Sequence, residues 1–374
     1  MPYDPDARRE TPLALDLKAR IRRDGPITVH DYMYACLQDP THGYYRTKTA
    51  IGLSGDFITA PEISQIFGEL IGLWSVVVWQ QLGSPPHLRL IELGPGRGTL
   101  MRDALRAAAR APAFTAAIEV VLVESSATLA DQQRHTLSDV TVPLRWVAET
   151  GDLPMGAPSI VIANEFLDAL PVRQIVLDGL EPRERVVTLD AGGRLIFDNA
   201  GPLALAPSIP VSVRASARPG AIFEMCNWAA PLDPIARLLV TAPAAVLFID
   251  YGHTAHSAGE TLQALRAHAY EHPLTSPGEA DLTTHVDFEA VSSCFRDASN
   301  IAGPTTQGEF LGSLGIAERA SRLMAANPTK AAEIEAGVMR LMSPGGMGSR
   351  FKVLGLSSKG FLQLPGLPPV DRRD

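Results

Sequence analysis

The period of the apolar positions changes near residue 87. Before it, hydrophobic side chains recur at helical spacing: Leu13, Leu17 and Ile21 first, then Ile63, Ile66, Phe67, Leu70, Ile71 and Trp74. Such stripes predict helices over 11–40 and 59–81. Residues 41–60, rich in glycine and tyrosine, read as the loop between them. Thr59-Ala60-Pro61-Glu62 predicts a sharp start for the second helix, with a capping hydroxyl, a proline in the first turn and a glutamate three residues after the cap. Gly83-Ser84-Pro85-Pro86 ends it.

Beyond residue 87, short and fully apolar runs alternate with helical segments. Strands are predicted at Leu88–Leu93, Ile118–Val123, Leu144–Val147, Ser159–Ala163 and Ala245–Ile249, and helices over 99–110 and 126–137. Strands that are apolar on both faces belong to a parallel sheet covered on both sides. Phe351–Leu354 reads as a late strand returning to that sheet. Residues 172–230 break the rhythm: Val186–Leu189, Gly192-Gly193 and Leu195–Phe197 suggest hairpins, so this stretch is expected to be an antiparallel insertion, serving protein recognition or dimerisation. Residues 257–340 read as helix and loop. The expected fold class is α/β, a doubly wound, mostly parallel, Rossmann-like sheet. Its expected organisation is an N-terminal helical lid region over 1–85, a core made of 86–171 and 231–360, and a β-rich insertion over 172–230.

Composition removes several alternatives. At 374 residues and 46% hydrophobic, the chain is ample for a large core. It carries 41 acids against 33 bases, a formal net charge of −8, with no basic block, which argues against nucleic-acid binding. No apolar run reaches the ~18 residues that span a bilayer, so no membrane insertion is expected. Met1 to Glu10 is acidic and unlike a targeting peptide, and the expectation is a cytoplasmic protein. Cys36, Cys226 and Cys294 lie far apart without a C-x-x-C pair, which argues against a metal site.

The chemistry concentrates at strand ends, where open parallel sheets bind ligands. The first predicted strand runs into Glu92-Leu93-Gly94-Pro95-Gly96-Arg97-Gly98-Thr99. Gly94, Gly96 and Gly98 permit a tight turn and close approach of a ligand to backbone. A nicotinamide dinucleotide would prefer a small residue where Thr99 stands, and the Glu92 carboxylate would repel a pyrophosphate. It attracts a cation instead. S-adenosylmethionine carries a sulfonium and an ammonium, so the E-x-G-x-G-x-G pattern suits that cofactor. Glu124, ending the second strand, suits a ribose, whose two hydroxyls a carboxylate can accept. Asn164-Glu165-Phe166-Leu167-Asp168 ends the fourth strand. If helical, it puts Glu165 and Asp168 on one face, fit to grip a guanidinium. His253, with Tyr251, is placed to line an acceptor pocket at the end of the fifth strand. Asp56, in a Gly-rich loop ahead of the 59–81 helix, is a further cofactor contact, with Glu62 a weaker one. A fold-retaining assembly factor without activity, a nicotinamide oxidoreductase and a small-molecule methyltransferase stand beside a protein methyltransferase at this point.

Five segments together carry a resemblance: Gly55–Glu69, Glu92–Gly98, Asn164–Pro171, Ile249–His253 and Asp281–Phe288. In this order they resemble the family of the mitochondrial complex I assembly methyltransferase, MidA, and its bacterial relatives, over roughly residues 15–355. The resemblance implies a class I fold dependent on S-adenosylmethionine and an arginine acceptor in a protein, namely a complex I core subunit or its homologue. It also implies a mitochondrial matrix location in a eukaryote. It puts cofactor contacts on Glu92, Gly94, Gly96, Gly98 and Glu124, and the acceptor side on Asn164, Glu165 and Asp168.

Overall fold

A computed structural model describes residues 4–47, 59–178, 181–203, 209–360 and 363–369. Two compact units share the chain: residues 1–57, 168–227 and 255–287 form one, and 58–167, 228–254 and 288–374 the other. The sequence therefore passes between them repeatedly.

The second unit holds the α/β sheet; it takes in residues 58–85 of the expected lid region, while residues 255–287 of the expected core fall in the first unit. Its strands are β1 (Leu88–Leu93), β2 (Ile118–Val123), β3 (Leu144–Val147), β4 (Ser159–Asn164), β5 (Ala244–His253), β6 (Ser299–Thr306) and β7 (Phe351–Ser358). They lie in the order β6-β7-β5-β4-β1-β2-β3. The five strands from β5 to β3 pair in parallel, with Glu92 opposite Leu122 on one side and Ile162 on the other. β7 runs antiparallel to β5 and to β6. The order reverses direction at β1, so the crevice beyond the ends of β1 and β4 is the switch point where such sheets take ligands.

Helices α1 (Gln65–Gln81), α2 (Thr99–Ala108), α3 (Ala127–Thr136) and α4 (Ile316–Ala326) belong to the same unit. Gly68 and Gly72, one turn apart on α1, let its backbone lie directly on α2. A Cβ at Gly72 would sit 2.3 Å from the Ala104 carbonyl oxygen, and one at Gly68 would sit 2.7 Å from Asp103 Cβ. Ile66, Phe67, Leu70 and Trp74 then bury into one core with Leu100, Met101, Leu90 and Ile160.

The expected 59–81 helix is two pieces, Ala60–Ile63 and α1. Ser64 between them is extended (φ −155°, ψ 127°), and its hydroxyl caps α1 by accepting from the Ile66 amide at 3.3 Å. The apolar stripe runs through the break unchanged, which hides it from periodicity. The 11–40 segment is likewise two helices, Pro12–Asp24 and Val29–Gln38, parted by Gly25 at φ +90° and by Pro26. Residues 257–340 contain strands that their mixed composition conceals. One is β6, whose pairing shifts register between Ala302 and Thr305, around Gly303-Pro304.

In the first unit those two helices pack Leu13, Leu17, Ile21, Met33 and Leu37 with Val172 and Val187 of an antiparallel sheet. Arg183–Leu189 pairs there with Leu195–Pro202 as the predicted hairpin, and Val172–Leu177 pairs with Ala221–Cys226. Among the described residues no helix is long and apolar enough to cross a membrane, and no cluster of His, Cys, Asp and Glu could hold a metal.

Candidate active site

The turn after β1 takes the conformation its glycines allow. Gly94, Gly96 and Gly98 have φ of +61°, +54° and +80°. The Gly94 amide donates to the Val123 carbonyl at 3.1 Å, tying the turn to β2, and Gly98 caps α2. A Cβ at Gly94 would approach Phe166 Cδ2 to 3.1 Å, so the turn is also closed against the segment after β4. The first amides of α2 therefore face the crevice, where they can donate to a ligand.

Two buried acceptors flank this turn. Glu92 is buried, and its Oε2 has no hydrogen-bond partner among the described residues. Burial pushes its carboxyl up to about 8, because leaving water penalises the charged form. Asn164 Oδ1, at the end of the neighbouring β4, is also buried without a partner. A cationic donor is what such oxygens lack, and S-adenosylmethionine has one in its ammonium group. The residues present fit that cofactor.

Glu124 follows β2, with its amide held by the Val147 carbonyl at 2.9 Å. Its Oε1 accepts from the Ser126 amide at 2.7 Å and its Oε2 from Gln133 Nε2 at 3.0 Å. Gln133 also donates to the Gly96 carbonyl at 2.8 Å, and its own oxygen accepts from Trp146 Nε1 at 2.9 Å. Gln133, itself buried, thus joins the glycine turn, the Glu124 carboxylate and β3. Sequence reasoning missed it. The available signal was a glutamine on the α3 face that otherwise buries Leu129 and Ala130.

Glu165 is the strained residue of the site. Its φ of +52° is left-handed, a conformation a non-glycine side chain adopts only when its surroundings enforce it. Its amide donates to the Ile249 carbonyl at 2.9 Å. Its Oε1 accepts from the Ala60 amide and from Asn164 Nδ2, each at 3.1 Å. The following residues are held by Asp250, a buried acid on β5, whose Oδ2 accepts from the Leu167 amide at 2.9 Å.

The expected helical turn across Glu165 and Asp168 is not formed, because residues 165–171 are irregular. Glu165 and Asp168 therefore do not share a helical face. Leu167 is bonded to Asp250 instead of to its own turn, and Asp168 falls in the first unit. There it is buried, its carbonyl accepts from the Thr284 amide at 3.0 Å, and its charge acts on Tyr45. Burial first, then the Asp281 and Asp168 carboxylates, hold the Tyr45 hydroxyl well above its ordinary value, while that hydroxyl donates to Asp281 Oδ1 at 2.8 Å.

Glu62 also departs from expectation. Thr59 makes no side-chain cap, and Glu62 instead accepts from the Thr99 hydroxyl at 2.6 Å and lies 3.7 Å from Arg97. It braces the glycine turn from outside. His253 is the half-buried last residue of β5. Asp56 and its loop lie outside the described residues.

Comparison with known proteins agrees with this geometry. Residues 70–305 match the model of a family described as S-adenosyl-L-methionine-dependent methyltransferase. The mitochondrial protein arginine methyltransferase NDUFAF7 of Xenopus tropicalis is 34% identical, covering 94% of this chain and 86% of its own length. The Homo sapiens protein of that name is 33% identical over 94% and 85%. A Burkholderia thailandensis crystal structure bound to S-adenosyl-homocysteine is 28% identical, with a TM-score of 0.85 over 96% of this chain and 97% of its own. With the glycine turn, its acid and the switch-point crevice in place, the chain belongs to the S-adenosyl-L-methionine-dependent methyltransferase family.

Proposed function

We propose that this methyltransferase modifies a guanidinium nitrogen of arginine in a protein, a core subunit of respiratory complex I or its bacterial counterpart. The carrying observation is Glu165, whose backbone is left-handed and whose carboxylate accepts from the Ala60 amide and from Asn164. A carboxylate fixed this way accepts hydrogen bonds from a guanidinium and holds its planar fork in place. It localises the positive charge away from the attacking nitrogen and takes up the proton that nitrogen sheds. Asn164 acts through Glu165 as a positioning residue. The names of the curated relatives and the family resemblance support the acceptor class.

S-adenosylmethionine, when bound, supplies a methyl group already activated by its sulfonium. Glu92, Gly94, Gly96, Gly98 and Glu124 are the residues proposed to hold it, with Gln133 fixing two of them. Much of the rate then comes from orientation within that frame.

The test compares wild type with Glu165→Gln for methyl incorporation into proteins of a strain lacking the gene, with arginine methylation read by mass spectrometry. Glu165→Gln should lower turnover by about 10²-fold or more with cofactor affinity retained. Wild-type turnover in that variant would remove Glu165 from the reaction. Asp168→Asn and His253→Ala in the same assay rank the secondary candidates.

A further inference from the structure

Away from the glycine turn, the second unit has a groove of about 400 Å³ between α1, α2 and α4. Its floor is Glu69, buried, whose carboxylate accepts from Arg319 Nε at 2.7 Å and from Arg106 at 3.1 Å. Arg106 also meets the buried Asp103 at 2.8 Å. Two more arginines, Arg110 and Arg322, line the groove, and their side chains make no ion pair or hydrogen bond among the described residues. Four guanidinium groups therefore face two carboxylates, on a chain whose net charge is −8. Leu73, 41% exposed, adds an apolar patch to the same lining. Arg106 stands seven residues along α2 from Thr99, ~10 Å at 1.5 Å per residue, so the groove is separate from the cofactor turn.

We propose that this groove docks an acidic segment of the protein acceptor, with carboxylates on Arg110 and Arg322 and an apolar side chain on Leu73. The inference rests on the protein acceptor read above. Planar guanidinium forks match carboxylates in pairs, and arginine sheds its hydration readily on docking. Among the described residues no aromatic ring lines the groove to stack a base, and a chain of negative net charge repels a long polyanion.

The test uses the full-length protein and a fluorescent peptide of glutamate and leucine without arginine, read by anisotropy. Wild type should bind it, more weakly as salt rises. The double variant Arg110→Glu/Arg322→Glu should bind roughly tenfold or more weakly, since two exposed charges are reversed. Its calorimetric affinity for S-adenosylmethionine should match wild type, showing that the fold is kept. Leu73→Ser should also weaken the peptide. No binding by wild type, unchanged binding by the double variant, or equal competition from an oligonucleotide or inorganic phosphate would each overturn the proposal. None of these outcomes touches the arginine reading, which stands or falls on the methylation assay.

Discussion

Gln133 Nε2 donates at once to Glu124 Oε2, at 3.0 Å, and to the Gly96 carbonyl, at 2.8 Å. One side chain thus sets the spacing between the glycine turn and the acid after β2. Gln133→Leu removes both bonds and leaves the Trp146 Nε1 donor unmatched. The expected result is a stability loss of about 1–3 kcal/mol and a cofactor affinity lower by about tenfold, with a smaller change in kcat. Calorimetry with S-adenosyl-homocysteine and urea unfolding check the two parts separately.

The Glu92 carboxyl, pushed up to about 8 by burial, gives a pH signature. The folded chain holds this proton more tightly than the unfolded chain does. Stability without cofactor therefore falls as pH climbs from the ordinary carboxylate range toward 8, and falls no further above it. Glu92→Gln should flatten that slope, as read from urea midpoints across the range. A bound cation favours the ionised carboxylate, so wild type should release protons on binding S-adenosylmethionine near pH 7, seen as buffer-dependent heats. Identical heats in all buffers would contradict this.

Gly94 and Gly98 should differ on substitution. Both have positive φ, so alanine costs each about 1–2 kcal/mol of backbone strain. At Gly94 the new methyl also presses on Phe166 at 3.1 Å, whereas at Gly98 the nearest atom, in Gln133, is at an ordinary 3.6 Å. Gly94→Ala should be the more destabilising, and Phe166→Leu in the same chain should recover part of the difference in denaturant titration.

Gly72→Ala tests the seat of α1 on α2. The added methyl meets backbone atoms of Ala104 at 2.3–2.7 Å, and backbone cannot rotate aside. A loss of about 2–3 kcal/mol is expected from forced separation of the helices, despite alanine's higher helix propensity. A thermal midpoint equal to wild type would show that the helices are free to part.

The sequence made the parallel strands legible because each has an apolar stretch at its centre, and β1, β2 and β3 begin and end as expected, whereas β5 runs on past Ile249 to His253. The three glycines were legible because a turn with positive φ at Gly94, Gly96 and Gly98 favours that residue type. Ser64 was not, since the apolar stripe continues across it. Nor was the conformation of Glu165. Left-handed backbone is signalled by glycine, whereas here it is imposed by bonds from Ile249 and Ala60, residues 84 ahead and 105 behind. Asp168 shows the same limit in reverse: three-residue spacing implies a shared face only if a helix forms, and Asp250 diverts that segment.

Asp250 grips the amide of Leu167, the last residue before the chain departs on a sixty-residue excursion into the other unit. The clamp comes from a strand laid down after the excursion ends. Whatever lies between can be lengthened, trimmed or rewritten while Glu165 stays moored. The position of Glu165 is then set by groups on either side of the excursion, Ala60 before it and Ile249 and Asp250 after it, and by nothing the excursion must supply.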